Sequence, residues 1–266
     1  MLRHKFVSIC SLFLLLLFLC ALFPKILTPH GFDRQFPQFL LMTPTHEFWF
    51  GTDELGRDLL ARVLYGARIS LACALLATTI SALFGIFYGS LSGFVGGKMD
   101  QILMRILDVL YSIPDLLFYI LLGLFLGRNF WGLLITLSSL GWVSVARIVR
   151  GEILKYKELP FVESAQALGL PRWRILLRHL IPQTRDPIVV TLLFKIPAVI
   201  LAESTLSFIG LGLAPPYSSW GTLASEGYQA LGFYPHLILF PSLFIFLTIF
   251  SFQTIGNGLA GKMDSH

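Results

Sequence analysis

The sequence predicts an all-α, polytopic membrane protein with about six transmembrane helices and a cytoplasmic N-terminus. Three observations carry that prediction. Only 13% of the 266 residues are charged while 55% are hydrophobic, about half the charge of a soluble domain. The apolar residues gather into runs, and a helix needs roughly 20 residues to cross a bilayer. The basic residues are divided unevenly among the segments between those runs, which is the pattern that fixes orientation.

The first run, Phe6 to Phe23, is 18 uncharged residues behind Arg3 and Lys5. The apolar part of a signal peptide runs only about 7–15 residues and ends at a small-residue cleavage site. Neither condition holds, and Leu19 occupies the place where a small residue would precede a lipid-bearing Cys20. The run reads as a retained span. Pro24 to Arg68 contains Pro24, Pro29, Pro37 and Pro44 and is too polar to cross. Residues 1–68 therefore form an N-terminal span with an extracytoplasmic segment, 69–258 a transmembrane core, and 259–266 a short cytoplasmic tail.

Within the core, Ile69 to Gly97 is 29 residues without a charge. Ser81, Gly85, Gly89, Gly93 and Gly97 recur there at every fourth position. That spacing puts a small-residue stripe on one helix face, the device that lets helices approach closely in lipid. A third span covers Met104 to Gly127. Pro114-Asp115 inside it suits a helix start, where a missing N–H costs nothing and a carboxylate meets the helix dipole, so Asp100–Ile113 reads as a separate interfacial piece. Asp108 is placed to pair with Arg105 at i, i+3. Asn129 to Ala146 is the fourth span, Pro187 to about Leu213 the fifth and Pro235 to Gly258 the sixth, with Ala214–Tyr234 as a loop. Lys195 is expected to reach the cytoplasmic interface.

With the N-terminus inside, thirteen Lys and Arg fall on the cytoplasmic side, six outside, and Lys195 in a span. The net charge of +5 is thus a topology signal, and no nucleic acid is implied. Cys10, Cys20 and Cys73 sit in apolar runs and are an odd number, which points to packing.

The cytoplasmic stretch 147–186 is longer than a simple connection between helices. Pro160 suits a first turn, and Phe161, Ala165 and Leu168 follow at i, i+4, i+7 as an apolar face closed by Gly169. A second helix starts at Pro171, with Trp173, Leu176, Leu177 and Leu180 on one side, Arg174 and Arg178 at i, i+4, and Pro182 as its stop. Basic stems and Trp173 suit a membrane surface. On the residues alone, this unit is either a force-transmitting contact for a soluble machine or a plain interfacial loop.

The string Glu163-Ser164-Ala165-Gln166-Ala167-Leu168-Gly169, followed by His179-Leu180-Ile181-Pro182, resembles the EAA loop of ABC-importer permeases. Ser164 replaces the usual Ala, and Gln183 stands where Asn is common. Two more stretches resemble the C-type subunit of dipeptide/oligopeptide/nickel permeases. One is Gly51-Thr52-Asp53-Glu54-Leu55-Gly56-Arg57-Asp58, continuing through Arg62, Gly66, Arg68 and Ser70-Leu71. The other is Glu203-Ser204-Thr205-Leu206-Ser207-Phe208-Ile209-Gly210-Leu211-Gly212 with Pro215-Pro216 and Ser219-Trp220-Gly221. Relatives often carry a neutral residue where Asp115 stands.

The resemblance implies a permease subunit in a bacterial inner or plasma membrane. It would share a pathway with a homologous permease, sit above two ATPase subunits that bind ATP and Mg, and receive peptide or a related solute such as nickel from an extracytoplasmic binding protein. It also implies that Phe161, Glu163, Ser164, Ala165, Leu168, Gly169, His179 and Pro182 form the ATPase-coupling loop, and that the chain is not itself an enzyme.

Other signals are weaker. Gly256 to Lys262 fits G-x-x-x-x-G-K, but Met263 replaces the hydroxyl residue and too little chain follows for the required helix. The six histidines (His4, His30, His46, His179, His236, His266) show no i, i+3 or i, i+4 pair, and no metal site is expected. Glu203, with Ser207 one turn on, is an intramembrane carboxylate. Such a group lines a pathway or gate, or makes buried hydrogen bonds to a neighbouring helix. Two rival functions remain at this level: a proton-coupled secondary transporter using Glu203, Asp115 or Asp108, and a membrane scaffold for a cytoplasmic complex.

Overall fold

A computed structural model describes residues 2–263. His266 and the last three positions of the expected tail lie outside the described residues, and 259–263 belong to a helix rather than a tail. The described residues form twelve α-helical segments in order: α1 Leu2–Leu22, α2 Leu59–Val95, α3 Gly97–Tyr111, α4 Asp115–Leu126, α5 Phe130–Ser139, α6 Gly141–Tyr156, α7 Pro160–Ala167, α8 Arg172–Ile175, α9 Ile181–Gln183, α10 Arg185–Phe208, α11 Trp220–Gln229 and α12 His236–Met263. No strand is present among the described residues; pairing there is limited to two isolated bridges in the segment before α2.

Five stretches are long and apolar enough to cross a membrane: Lys5–Leu22, Leu59–Val95, Phe130–Tyr156, Arg185–Phe208 and His236–Gly261. The sixth is broken. α3 and α4 meet at 82°, with the restart at Asp115 that Pro114 predicts. The expected single span from Met104 to Gly127 is therefore a bent pair, and α4, at 12 residues, is only about 18 Å long. The ends of the chain show how the pair counts. The Cβ position of Gly258, late in α12, lies against Val7, early in α1, so the start of α1 and the end of α12 sit at one end of the bundle. An even number of crossings requires the bent pair to act as one.

The other contacts sort the loops between the two ends. Arg68 Nε donates to Ala21 O at 2.9 Å, which puts the start of α2 beside the end of α1. Lys157 Nζ donates to Gly93 O at 3.1 Å, which puts the end of α2, the end of α6 and the α7–α9 segment at the same end as the start of α1 and the end of α12. This is the basic end. The opposite end carries residues 24–58, α11 and the turn around Arg128, whose Nε donates to Gly212 O at 3.3 Å.

α2 and α6 form the central seam. A Cβ on Gly89 would lie 2.3 Å from Ala146 O, one on Gly85 2.6 Å from Val145 Cβ, and one on Gly93 3.0 Å from Arg150 O. A Cβ on Gly141 would in turn meet Ser81 Oγ. Backbone-to-backbone approach of this kind supplies the van der Waals contact that holds helices together in lipid. Gly97 leaves the stripe: it lies beyond the end of α2, with φ +58 and nothing near its Cβ position.

Several expected boundaries are corrected. α2 begins at Leu59, ten residues ahead of Ile69, so the division at residue 68 falls inside a helix. Arg147–Tyr156 continues the fourth span as α6, and the fifth span is Arg185–Phe208. The loop 214–234 contains α11, opened by a capping box in which Ser219 and Thr222 bond each other's backbone. Asp108 accepts from Arg147 Nη2 at 2.8 Å, not from Arg105. Lys195 turns inward, with Nζ donating to Ser144 Oγ at 3.1 Å. The Gly256–Lys262 stretch is helical, which rules out a phosphate-binding loop.

Candidate functional site

The basic end. α7 starts on Pro160 and is closed by hydrogen bonds from Leu170 N to Ala165 O (3.2 Å) and from Gly169 N to Gln166 O (2.9 Å). These are the paired bonds of a Schellman closure, which needs a left-handed residue. Gly169 supplies it at φ +75, with no atom within 4 Å of its Cβ position. Ser164 Oγ returns a bond to Pro160 O at 3.0 Å.

The face that α7 buries differs from the expected one. Val162 and Ala165 point inward and pack with Val145, Val149 and Ile153 of α6, Ile175, Leu180 and Ile188. Phe161 and Leu168 stay outside, Leu168 at 82% exposure. In two turns of helix, Phe161 and Val162 are equally plausible inward residues by spacing. Glu163, Ser164, His179 and Pro182 are also exposed.

The second helix is shorter and more irregular than expected. Ile175 and Leu180 are its buried residues, while Trp173 and Leu177 are exposed. Pro182 does not end it. Proline has no N–H to give the carbonyl four residues back, and the chain re-registers just ahead of it. Residues 176–180 form a π turn in which Ile181 N bonds Leu176 O, and α9 follows at once. The coupling-loop residues thus sit on one short unit: the inner side of α7 is buried in an apolar cluster shared with α6, α8 and α10, and its outer side presents Phe161, Glu163, Ser164 and Leu168.

The opposite end. Asp53 accepts from Arg57 Nε and from Arg62 Nη1, each at 2.7 Å. Arg62 also holds Glu226 of α11, with Nη1 close to Oε2 and Nη2 at 3.2 Å from Oε1. Asp53, Arg57 and Arg62 are all buried. Asp58 caps α2 by accepting from Leu60 N at 3.0 Å, and also receives Thr28 Oγ1 at 2.7 Å. His30 Nδ1 lies 3.0 Å from the same carboxylate. His30 is therefore tied to Asp58, and no cluster of three His, Cys, Asp or Glu suited to a metal occurs among the described residues.

Next to this network, deeper in the chain, Glu203 is fully buried. Ser70 Oγ of α2 donates to its Oε2 at 3.0 Å, and Ser207 Oγ donates to its Oε1 at 2.7 Å. Ser219 Oγ reaches Ser207 Oγ at 3.2 Å, and Trp220 N donates to Ser70 Oγ at 3.2 Å. Trp220 is itself fully buried, with Nε1 bonded to Val63 O at 3.1 Å. One carboxylate thus joins α2, α10 and α11. Ser70, Ser219 and Trp220 were not singled out individually by the sequence. The signal was their place in the two strings that resemble the C-type permease subunit, which the fold brings together.

Comparison with known proteins shows the family. Residues 85–265 match the family described as binding-protein-dependent transport system inner membrane component. The chain belongs to this family. It is an inner membrane component of an ABC transporter, a transport subunit and not an enzyme, and the family works with ATPase and solute-binding partners. The proton-coupled alternative gives way to that membership.

Among curated relatives, the dipeptide transport system permease protein DppC of Bacillus subtilis (strain 168) is 41% identical over 231 residues, covering 86% of this chain and 72% of the relative. The oligopeptide transport system permease protein OppC of Escherichia coli (strain K12) is 39% identical over 264 residues, 98% of this chain and 87% of the relative. The glutathione transport system permease protein GsiD of Pectobacterium atrosepticum is 36% identical, covering 99% and 88%. Among solved structures, a chain of the inward-facing MetNI methionine ABC transporter aligns with a TM-score of 0.59 over 74% of this chain and 93% of that one, at 16% identity. That likeness concerns the fold.

Proposed function

We propose that this chain is one of two homologous permease subunits that together form the pathway for short peptides in an ATP-driven importer. The solute assignment rests on the relatives, which are named for dipeptide, oligopeptide and glutathione transport. The basic end faces the cytoplasm, as its excess of Lys and Arg requires. Two ATPase subunits carrying ATP and Mg bind there, and a solute-binding protein delivers peptide at the opposite end.

The observation that carries the coupling assignment is the division of α7 into two faces. Val162 and Ala165 bury into an apolar cluster that α6, α8 and α10 share, while Phe161 and Leu168 are left exposed beside Glu163. An apolar pair exposed on a helix whose inner side is already anchored suits a contact with another protein. The anchor gives that contact a route to the bundle, because α6 is the helix packed backbone-to-backbone on α2. ATP acts only by favouring one conformation of the assembly over the other. Ser81, Gly85, Gly89 and Gly93 keep the α2–α6 seam rigid enough to transmit the movement.

Glu203 and Ser207 are assigned to a gate by holding it rather than by lining the path. They bind α10 to α2 and α11, and opening that end requires their hydrogen bonds to rearrange. The test is reconstitution with the ATPases and a peptide-binding protein. Peptide uptake should require ATP and survive a proton uncoupler. Uptake that persists without ATP and collapses with the uncoupler overturns the reading.

A further inference from the structure

Two charges in the membrane-spanning part, Asp115 and Lys195, have no ion-pair partner among the described residues, Lys195 being bonded only to the Ser144 hydroxyl. Lys195 lies ten residues beyond Arg185 in α10, about 15 Å along the helix and so near the middle of a hydrocarbon layer roughly 30 Å thick. Asp115 is exposed at the start of α4, immediately after the bend. Both line one cavity of about 310 Å³ between α4 and α10, where Tyr119 and Thr205 also stand. A smaller adjoining space of about 60 Å³ shares both charges and adds Ser144. Neither charge has an ion-pair partner within 4.0 Å among the described residues, including each other.

A charge without a counter-charge at this depth is costly, and such residues mark pathways or find partners. Opposite charges sharing a cavity without closing on each other leave room for something between them. The cavity lies at the lower end of the volumes that hold small ligands, about 300–1,000 Å³. A carboxylate on one wall and an ammonium on another complement a solute that carries one charge of each sign. A singly charged solute would leave one wall unpaired.

We infer that Asp115 and Lys195 form an intramembrane subsite that receives the two ends of a zwitterionic solute, an unblocked short peptide, with Asp115 taking the ammonium and Lys195 the carboxylate. This rests on the transport reading above and extends it to a contact made by this chain.

The test uses the complete importer in nanodiscs, without nucleotide and without the binding protein, and radiolabelled Ala-Phe as the probe. N-acetyl-Ala-Phe and Ala-Phe amide are the controls. Asp115→Asn is expected to weaken Ala-Phe binding about tenfold or more, as loss of a charge-assisted bond does, while leaving N-acetyl-Ala-Phe unchanged. Lys195→Gln is expected to weaken Ala-Phe equally and leave the amide unchanged. Selectivity for one blocked end is a result that misfolding does not produce. Equal affinity of wild type and variants for all three peptides overturns the subsite. Loss of the second permease from complexes carrying either variant also overturns it, since the charges would then serve an interface. ATP-driven uptake of Ala-Phe by wild-type vesicles tests the transport reading separately. If uptake is absent that reading falls, and if it is present while both variants bind as wild type, only the subsite falls.

Discussion

The end of the bundle that holds Asp53, Arg62 and Glu226 and the end that holds α7 treat their polar and apolar groups in opposite ways. At the first, the buried charges are paired inside the chain. Asp53 takes two arginines, Arg62 bridges onward to Glu226, and Glu203 is met by serines from two helices. At the second, the layer beneath α7 is apolar and the polar groups of that helix point outward. Phe161, Glu163, Leu168 and Trp173 are exposed above a packed layer of Val162, Ala165, Ile175 and Leu180. A surface that completes itself holds a shape. A surface left incomplete on a well-anchored support is complete only with another molecule.

Four variants test the contrast. The largest loss of stability is expected from Arg62→Ala, which leaves the buried Asp53 with one arginine and Glu226 with only Arg57 Nη2, at 3.6 Å. Breaking a buried pair on one side costs about 3–5 kcal/mol, and Glu226, being about half exposed, holds the loss near the lower figure. A marked drop in thermal midpoint of the detergent-solubilised complex is the readout. Next comes Gly89→Val at the seam, where the first added carbon already meets Ala146 O. Overpacking of this kind costs about 1–3 kcal/mol, measured the same way, and it should lower uptake without changing ATPase binding to the basic end.

Gly169→Ala is expected to cost about 1–2 kcal/mol, the penalty for a side chain in the left-handed region. Because no atom surrounds that site, the cost is conformational and should appear as reduced ATPase-coupled uptake with a small shift in midpoint. The smallest change in permease stability is expected from Phe161→Asp with Leu168→Asp, within about 0.5 kcal/mol for exposed positions. If that double variant destabilises the permease as much as Arg62→Ala does, the two ends do not differ as described.

Much of this was legible in the sequence because lipid imposes simple rules. Runs of apolar residues gave the spans, and the stripe at Ser81, Gly85, Gly89 and Gly93 gave the helix seam. Pro114-Asp115 gave the break between α3 and α4. What hydropathy could not show was how charges are absorbed. α2 starts at Leu59 although Arg62 and Arg68 lie in its first turns, because Asp53 and Glu226 neutralise the first and carbonyls of α1 receive the second. A reading that treats each charge as a break ends the helix too soon. α11 was missed for a related reason: its capping box uses Thr222 in the place where a Glu or Gln would announce it.

The loop at the basic end was legible as a unit, and its inward face was not. Over eight residues, the choice between Phe161 and Val162 depends on where α6 and α10 lie, which is tertiary information. Lys195 and Asp108 were misplaced on the same grounds, since their partners, Ser144 and Arg147, come from a different helix. The candidate site was recognised through strings distributed along the chain. Their meeting at Glu203 follows from the packing of α2, α10 and α11.

The measurement closest to the central claim is co-purification of the ATPases with the Phe161→Asp, Leu168→Asp permease, with the thermal midpoint of the permease taken on the same preparation. The account predicts that the ATPases are lost while the midpoint stays within about 2 °C of wild type, as a change below ~0.5 kcal/mol implies for a chain of this size. ATPases retained at wild-type stoichiometry, with ATP-driven uptake intact, would contradict it.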